Sequence, residues 1–145
     1  MHRRTPLPPG FAYGAFTTEQ ADAAGVSSKR RRSSDLEHPF WGICVAAGSV
    51  IGAMDRCQAF HQRMPAGAFF SHATAAILFG MPLPTNVEND ERLHVTVVDP
   101  SRTLRTRGII GHCADVRPRV VTVAGMPVLR PRRDVVPTRR RAGAG

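Results

Sequence analysis

The chain has 145 residues, 42% of them hydrophobic, with 20 basic and 11 acidic side chains and a formal net charge of +9; that length suits one average domain or two small ones of marginal stability. No apolar run reaches the length of a membrane span, and the basic start at Met1, His2, Arg3 and Arg4 leads into prolines rather than a signal-peptide hydrophobic segment, so a cytoplasmic protein is expected. Cys44, Cys57 and Cys113 have neither zinc-knuckle nor redox-motif spacing, which predicts buried thiols in a reducing compartment.

The charge is unevenly spread. Residues 1–41 carry six basic and four acidic groups, residues 42–100 three and five, and residues 101–145 eleven and two. A field of that kind attracts phosphate polymers or anionic surfaces and says nothing about fold. Lys29 is the only lysine; with so much Ala, Gly, Pro and Val, that points to a GC-rich coding sequence and weakens arginine excess as a sign of nucleic-acid binding.

Residues 1–15, rich in Pro and Gly, read as a flexible arm. Thr17, Thr18, Glu19 and Gln20 form a capping box that predicts a short helix to about Ala24, stopped by Gly25. Ser27 is an N-cap for a second helix expected to run to about Asp35 and Leu36, before Pro39 forbids continuation. A strand over residues 40–45 follows. Helix, glycine turn, Ser-capped basic helix and β segment is the order of a helix-turn-helix followed by a wing. It would present Ser27, Ser28, Lys29, Arg30, Arg31 and Arg32 where recognition helices contact bases and phosphates. The same residues fit equally a solvated basic face on a helical hairpin.

Residues 48–52 read as a joint between a first module, 16–47, and a second region, 53–129. Residues 55–64 predict a helix with Cys57, Phe60, His61 and Met64 on one face. Residues 68–84 are the densest run of apolar and small side chains: Ala68, Phe69 and Phe70 are extended, Ser71 is an N-cap, and Gly80 ends a helix with Ala73, Ala76 and Ile77 at helical spacing. Ser71 and His72 invite a nucleophile and base, but neighbours at a helix start diverge and neither a glycine elbow nor an acidic orienter accompanies them. Residues 85–92 read as an acidic loop. Leu93, Val95 and Val97 alternate with His94, Thr96 and Val98 as a strand. Residues 102–108 make a basic loop carrying Arg102, Arg105 and Arg107, and residues 109–112, 120–123 and 128–129 read as further strands. His94, His112 and Cys113 fall on predicted neighbouring strands; single polar residues on strand faces explain them better than a metal site. Residues 130–145 are a basic tail with too little apolar content to fold alone. The fold class expected is α+β: a small winged helix-turn-helix-like module, then an incomplete unit of two helices and short strands.

The run Ser71, His72, Ala73, Thr74, Ala75, Ala76, Ile77, Leu78, Phe79, Gly80, Met81, Pro82 resembles the Ser-His-x-Thr-Ala-Ala-x-Leu-x-Gly-x-Pro segment of AbiEi-type antitoxins of type IV toxin–antitoxin systems, a family related to proteins with a C-terminal domain similar to very-short-patch-repair endonucleases. The likeness extends over about residues 16–136, including Pro39 to Ile43, Leu93 to Val97, Arg107 to His112 and Gly125 to Val128. It implies an N-terminal DNA-binding module used in autoregulation, with residues 27–32 as the recognition segment and 40–45 as the wing, and a following α/β region serving antitoxin action. Ser71, His72, Thr74, Ala75, Ala76, Leu78, Gly80 and Pro82 carry the family motif and are expected to be structural. Phe79 stands where the family often has histidine. The family's Pro-x-Arg-Thr segment and acidic helix are met only by Pro131, Arg133, Val135 and Val136 before Pro137 intervenes, so a C-terminal truncation or frame shift is expected.

Neither a phosphate-cradling glycine loop nor an HExxH motif is present, and Ser27 stands two positions before the only lysine, so a restriction-type acid-x-Lys site cannot be complete. No cofactor, no metal and no catalysis are expected. The function expected is a DNA-binding antitoxin or transcriptional regulator, with DNA as partner through Lys29 to Arg32 and through Arg102, Arg105 and Arg107, and no membrane partner. Two alternatives stay open: an inactive N-terminal remnant of an endonuclease-like protein, and an interaction module whose helix at residues 71–79 docks on a partner toxin.

Overall fold

Thr17 starts the first helix with the reciprocal pair its sequence promises. Its Oγ1 accepts the Gln20 N–H (3.0 Å) and its own N–H donates to Gln20 Oε1 (2.9 Å), satisfying two of the amides a helix start leaves unpaired. The computed structural model describes residues 5–11 and 14–131; part of the arm and nearly all of the tail read from the sequence lie outside them. The chain divides into two units, Met1–Met64 and Pro65–Gly145.

The first unit contains β1 (Phe16–Thr17), α1 (Thr18–Ala23), α2 (Ser28–Arg31), β2 (Leu36–Phe40), β3 (Ile43–Ala46) and α3 (Ala53–His61). Its sheet has the order β1-β3-β2, all antiparallel. Phe16, Ala21, Val26, Leu36 and Cys44 form its buried cluster, with Leu7 and Phe11 packed against it. The Phe11 and Phe16 rings stack at 4.8 Å. Helix α3 belongs here: it contacts β2 and β3, and the Phe60 ring meets Phe40 edge-on at 5.2 Å. The division after Met64 therefore replaces the joint expected at residues 48–52.

Two expectations for this unit need correction. Helix α2 is a single turn, ending at Arg31 rather than near Leu36. Arg30 turns back to grip Asp35 with two bonds (2.9 and 3.0 Å), and the Leu36 N–H donates to the Ser33 carbonyl, so the chain reverses where a second helical turn was expected. Nor is residues 40–45 one strand: it holds the end of β2, a reversal at Trp41 and Gly42, and the start of β3. Pro39 lies inside β2 rather than before it. The strand is an edge, and the pairing register shifts between Glu37 and Phe40, so no ladder bond is asked of the proline nitrogen.

The second unit contains β4 (Phe69–Phe70), α4 (His72–Leu78), α5 (Thr85–Glu88), β5 (Leu93–Val98), β6 (Ile109–Ala114), β7 (Val120–Val123) and β8 (Met126–Leu129). Its sheet runs β6-β5-β4-β8-β7. Strand β5 is parallel to β6 and antiparallel to β4, β4 is parallel to β8, and β7 and β8 form an antiparallel hairpin. Phe70, Val95, Met126 and Val128 have no exposed surface, and Leu93 and Phe69 almost none. Ala124 and Gly125 make the β7–β8 turn with φ 50° and 82°, a left-handed pair that suits the twist of a two-residue hairpin. Residues 85–92, expected as a loop, contain the one-turn α5.

The chain connects the parallel strands β5 and β6 through residues 99–108 without a helix. Such crossovers are usually longer and helical. This one lies close against β6: a Cβ added at Gly111 would sit 2.2 Å from the Leu104 carbonyl oxygen. Gly111 is the position that lets this arch, and the arginines on it, approach the sheet.

Mixed helix and strand content makes the chain α+β. Among the described residues no helix is long and apolar enough to cross a membrane.

Candidate functional site

The structure sorts the basic segment 27–32 into two kinds of residue. Ser27 caps α2, its Oγ accepting the Arg30 N–H at 3.1 Å. Arg30 binds Asp35 through both terminal nitrogens and donates from Nε to the Thr5 carbonyl (2.6 Å), leaving 11% of its side chain exposed. Arg31 donates to Asp22 (2.7 Å) and to the Val26 carbonyl (2.8 Å), with 14% exposed. Both were expected to contact DNA. Both instead fasten the one-turn helix to the chain before and after it. Ser28, Lys29 and Arg32 are exposed, and neither Lys29 nor Arg32 forms an ion pair among the described residues.

At the β2–β3 reversal Trp41, the only tryptophan, is 73% exposed. Its ring carries the Arg63 guanidinium at 4.9 Å, and Arg63 also pairs with Glu19. That contact holds the Glu19 carboxyl below its usual range, chiefly through the hydrogen bond from Arg63. Gly42 beside it has φ 77°, and a Cβ there would meet the Arg63 side chain at 2.9 Å. The residue type therefore fixes both the reversal and the seat of Arg63.

On the second unit, Arg102, Arg105 and Arg107 are all exposed on the 99–108 arch, and none forms an ion pair among the described residues.

The motif of residues 71–82 joins α4 to β5. The Ser71 hydroxyl, 1% exposed, does not cap α4; it bonds Thr96 Oγ1 at 2.6 Å. Thr74 Oγ1 accepts the His94 N–H at 2.7 Å, and the Ser71 N–H donates to the His94 carbonyl at 3.0 Å. Ala75 is buried, Ala76 and Leu78 are half-buried, Gly80 takes φ 74° after the helix, and Pro82 is exposed. Ser71 and Thr74 thereby stitch α4 to β5.

His72 is the exception in this segment. It is exposed and has φ 51°, a left-handed conformation uncommon outside glycine. Its ring lies tilted against that of His112 with centroids 3.8 Å apart, and His94 Nδ1 lies 2.9 Å from His112 Nε2. The register places Thr96 opposite His112 and His94 two positions back on β5, so these side chains share one sheet face. Sequence reading placed His94 and His112 on neighbouring strands but missed His72, which reaches them only because β4 pairs with β5. No three His, Cys, Asp or Glu side chains among the described residues are arranged as metal ligands. Burial pushes His94 below its ordinary pKa, helped by the charges of His112 and His72; burial and then His72 do the same to His112. Nearby, Asp90 commits both carboxylate oxygens to Arg92, which holds it well below the carboxylate range.

A cavity of about 640 Å³ opens beside this cluster, lined by Phe69, Ser71, Thr96 and Leu129 as well as by His72 and His112. Arg119 and Arg130 also line it; the sequence reading marked Arg130 only as the start of the basic tail and did not mark Arg119.

The thiols differ in environment. Cys44 and Cys57 are buried and Cys113 is exposed. Burial raises the Cys44 pKa and pushes that of Cys57 up to about 12. Comparison with protein-family models, with curated proteins and with solved structures finds no match to the chain.

Proposed function

We propose that the chain binds duplex DNA without catalysing a reaction on it and acts as a regulator of the AbiEi-like antitoxin kind. The observation that carries this reading is the arch at residues 99–108, where Arg102, Arg105 and Arg107 are exposed and have no carboxylate partner among the described residues. Guanidinium groups of that kind are phosphate ligands, and displacement of counterions from DNA supplies their binding free energy. Lys29 and Arg32 add the same chemistry on the first unit. The resemblance of residues 71–82 and their flanks to AbiEi-type antitoxins agrees with it. Arg30 and Arg31 have no place among the contacts, because their charges are already committed to Asp35 and Asp22. Base reading falls to Ser28, Lys29 and Arg32 and to the hairpin tip at Trp41.

Fluorescence anisotropy with a labelled duplex from upstream of the chain's own gene, set against a scrambled duplex, tests the reading. The protein is expected to bind both and to prefer the upstream sequence. Replacing Arg102, Arg105 and Arg107 with Gln should weaken both by a similar factor, as phosphate contacts do. Full retention of affinity by that triple variant contradicts the assignment.

A further inference from the structure

We propose that the cavity beside His72 and His112 binds a small organic anion: a flat, apolar or aromatic body carrying one carboxylate or phosphate group. The basis is independent of the DNA-binding reading. At about 640 Å³ the cavity has the size of a small-molecule site. Phe69, Leu129 and Pro131 supply apolar wall, and such a wall accepts a flat hydrophobic body.

The charge on the lining selects the other end of the ligand. Strands β7 and β8 pair from Val123 and Met126 to Val120 and Leu129, and the next opposed residues are Arg119 and Arg130, whose backbones bond at 2.9 Å. Both line the cavity, and neither forms an ion pair among the described residues. Like charges directly opposed across a strand pair destabilise it. An anion held between them removes that repulsion and gains charge-assisted hydrogen bonds, bidentate ones where it is a carboxylate or phosphate.

The remaining polar groups can orient such a ligand. Ser71 and Thr96 use one hydrogen bond on each other (2.6 Å), and two hydroxyls offer more bonding capacity than that. His72 keeps a left-handed φ of 51° while its ring lies tilted against His112 at 3.8 Å and borders the cavity. Backbone strain of this kind collects at ligand sites.

Isothermal titration calorimetry on the full chain tests the proposal with three probes of one shape: 2-naphthoate, 2-naphthyl phosphate and the neutral 2-naphthamide. One saturable site is expected for at least one of the two anions, at least tenfold tighter than for the amide. Replacing Arg119 and Arg130 together with Gln should weaken anion binding at least tenfold and leave amide binding within about twofold, which also reports that the cavity is intact. Anions that bind no better than the amide, or three probes without saturable binding, overturn the proposal. Should the double variant not fold, amide-signal mapping of the wild-type chain with the tighter anion decides: shifts centred on residues 69–72, 112 and 129–131 support the site, and shifts centred elsewhere overturn it.

Discussion

Gly111→Ala probes how the arch is held. The added Cβ would lie 2.2 Å from the Leu104 carbonyl oxygen, 2.8 Å from Thr103 Cγ2 and 3.0 Å from the Leu104 nitrogen. Attractive contact begins near 3.5 Å, so strand and arch must part by roughly 1 Å. Two of the three atoms are backbone, and β6 is fixed along its length by β5, so no side-chain rotation relieves the clash. Overpacking of that kind costs roughly 2–3 kcal/mol, the upper end of its usual range. For a unit of this size the melting temperature should fall by about 10–20 °C. Differential scanning calorimetry reads this as a loss confined to the transition of the second unit. Because Arg102, Arg105 and Arg107 ride on the arch, the variant should also bind DNA more weakly at temperatures where it is still folded. A fall of less than about 2 °C refutes the argument that Gly111 sets the approach of the arch.

Arg30→Ala should destabilise the first unit by about 1.5–3 kcal/mol in urea, because it removes charge-assisted bonds to Asp35, whereas Lys29→Ala should stay within about 0.5 kcal/mol; equal effects would mean that Arg30 is not a structural pin. Thr74→Val keeps the shape and removes the acceptor of the His94 N–H, so it should cost about 1–3 kcal/mol and speed hydrogen exchange at that amide, while Thr74→Ser restores both; unaltered exchange in Thr74→Val would show the bond to be idle. His94 and His112 are held below the ordinary 6.5 in the folded chain, so the unfolded chain binds more protons just below pH 6.5. The second unit should therefore keep its full stability above pH 6.5 and lose it as the pH falls through the window beneath, with a lower urea midpoint at pH 5.5 than at 7.5; His112→Gln should flatten that dependence, and a midpoint that rises on acidification contradicts the cluster's assignment. With Cys44 and Cys57 buried and Cys113 exposed, an aromatic disulfide reagent should titrate a single thiol in the native chain and the others only in denaturant; rapid reaction of Cys44 or Cys57 would contradict the packing.

The fold was legible where local chemistry decides it. The Thr17 and Gln20 side chains determine where α1 begins, Gly80 ends α4, and the alternation from Leu93 to Val98 marks β5. It was not legible where a distant partner overrides local preference. Pro39 reads as a breaker, yet an edge strand with a register shift tolerates it. Asp35 reads as part of a helix end, yet Arg30 pulls it into a reversal. The Ser71 position is right for a cap, yet Thr96, twenty-five residues on, takes its hydroxyl. The candidate sites divide in the same way. Exposure of Lys29, Arg32 and the arch arginines follows from charge and a polar setting. The fastening of Arg30 and Arg31 depends on where Asp35 and Asp22 lie in three dimensions. The histidine cluster and the arginine pair at the cavity depend on strand register, which no single segment encodes.

The salt dependence of DNA affinity tests the central claim most directly. Log affinity for one duplex is measured against log salt concentration for the wild-type chain and for a variant with Lys29, Arg32, Arg102, Arg105 and Arg107 all replaced by Gln. If these side chains sit on phosphates, the wild-type plot is steep and the variant's slope is shallower by about 0.9 for each phosphate no longer neutralised, roughly 4.5 if all five do. Parallel plots for the two proteins, or a wild-type chain that does not bind duplex DNA at low salt, contradict the account.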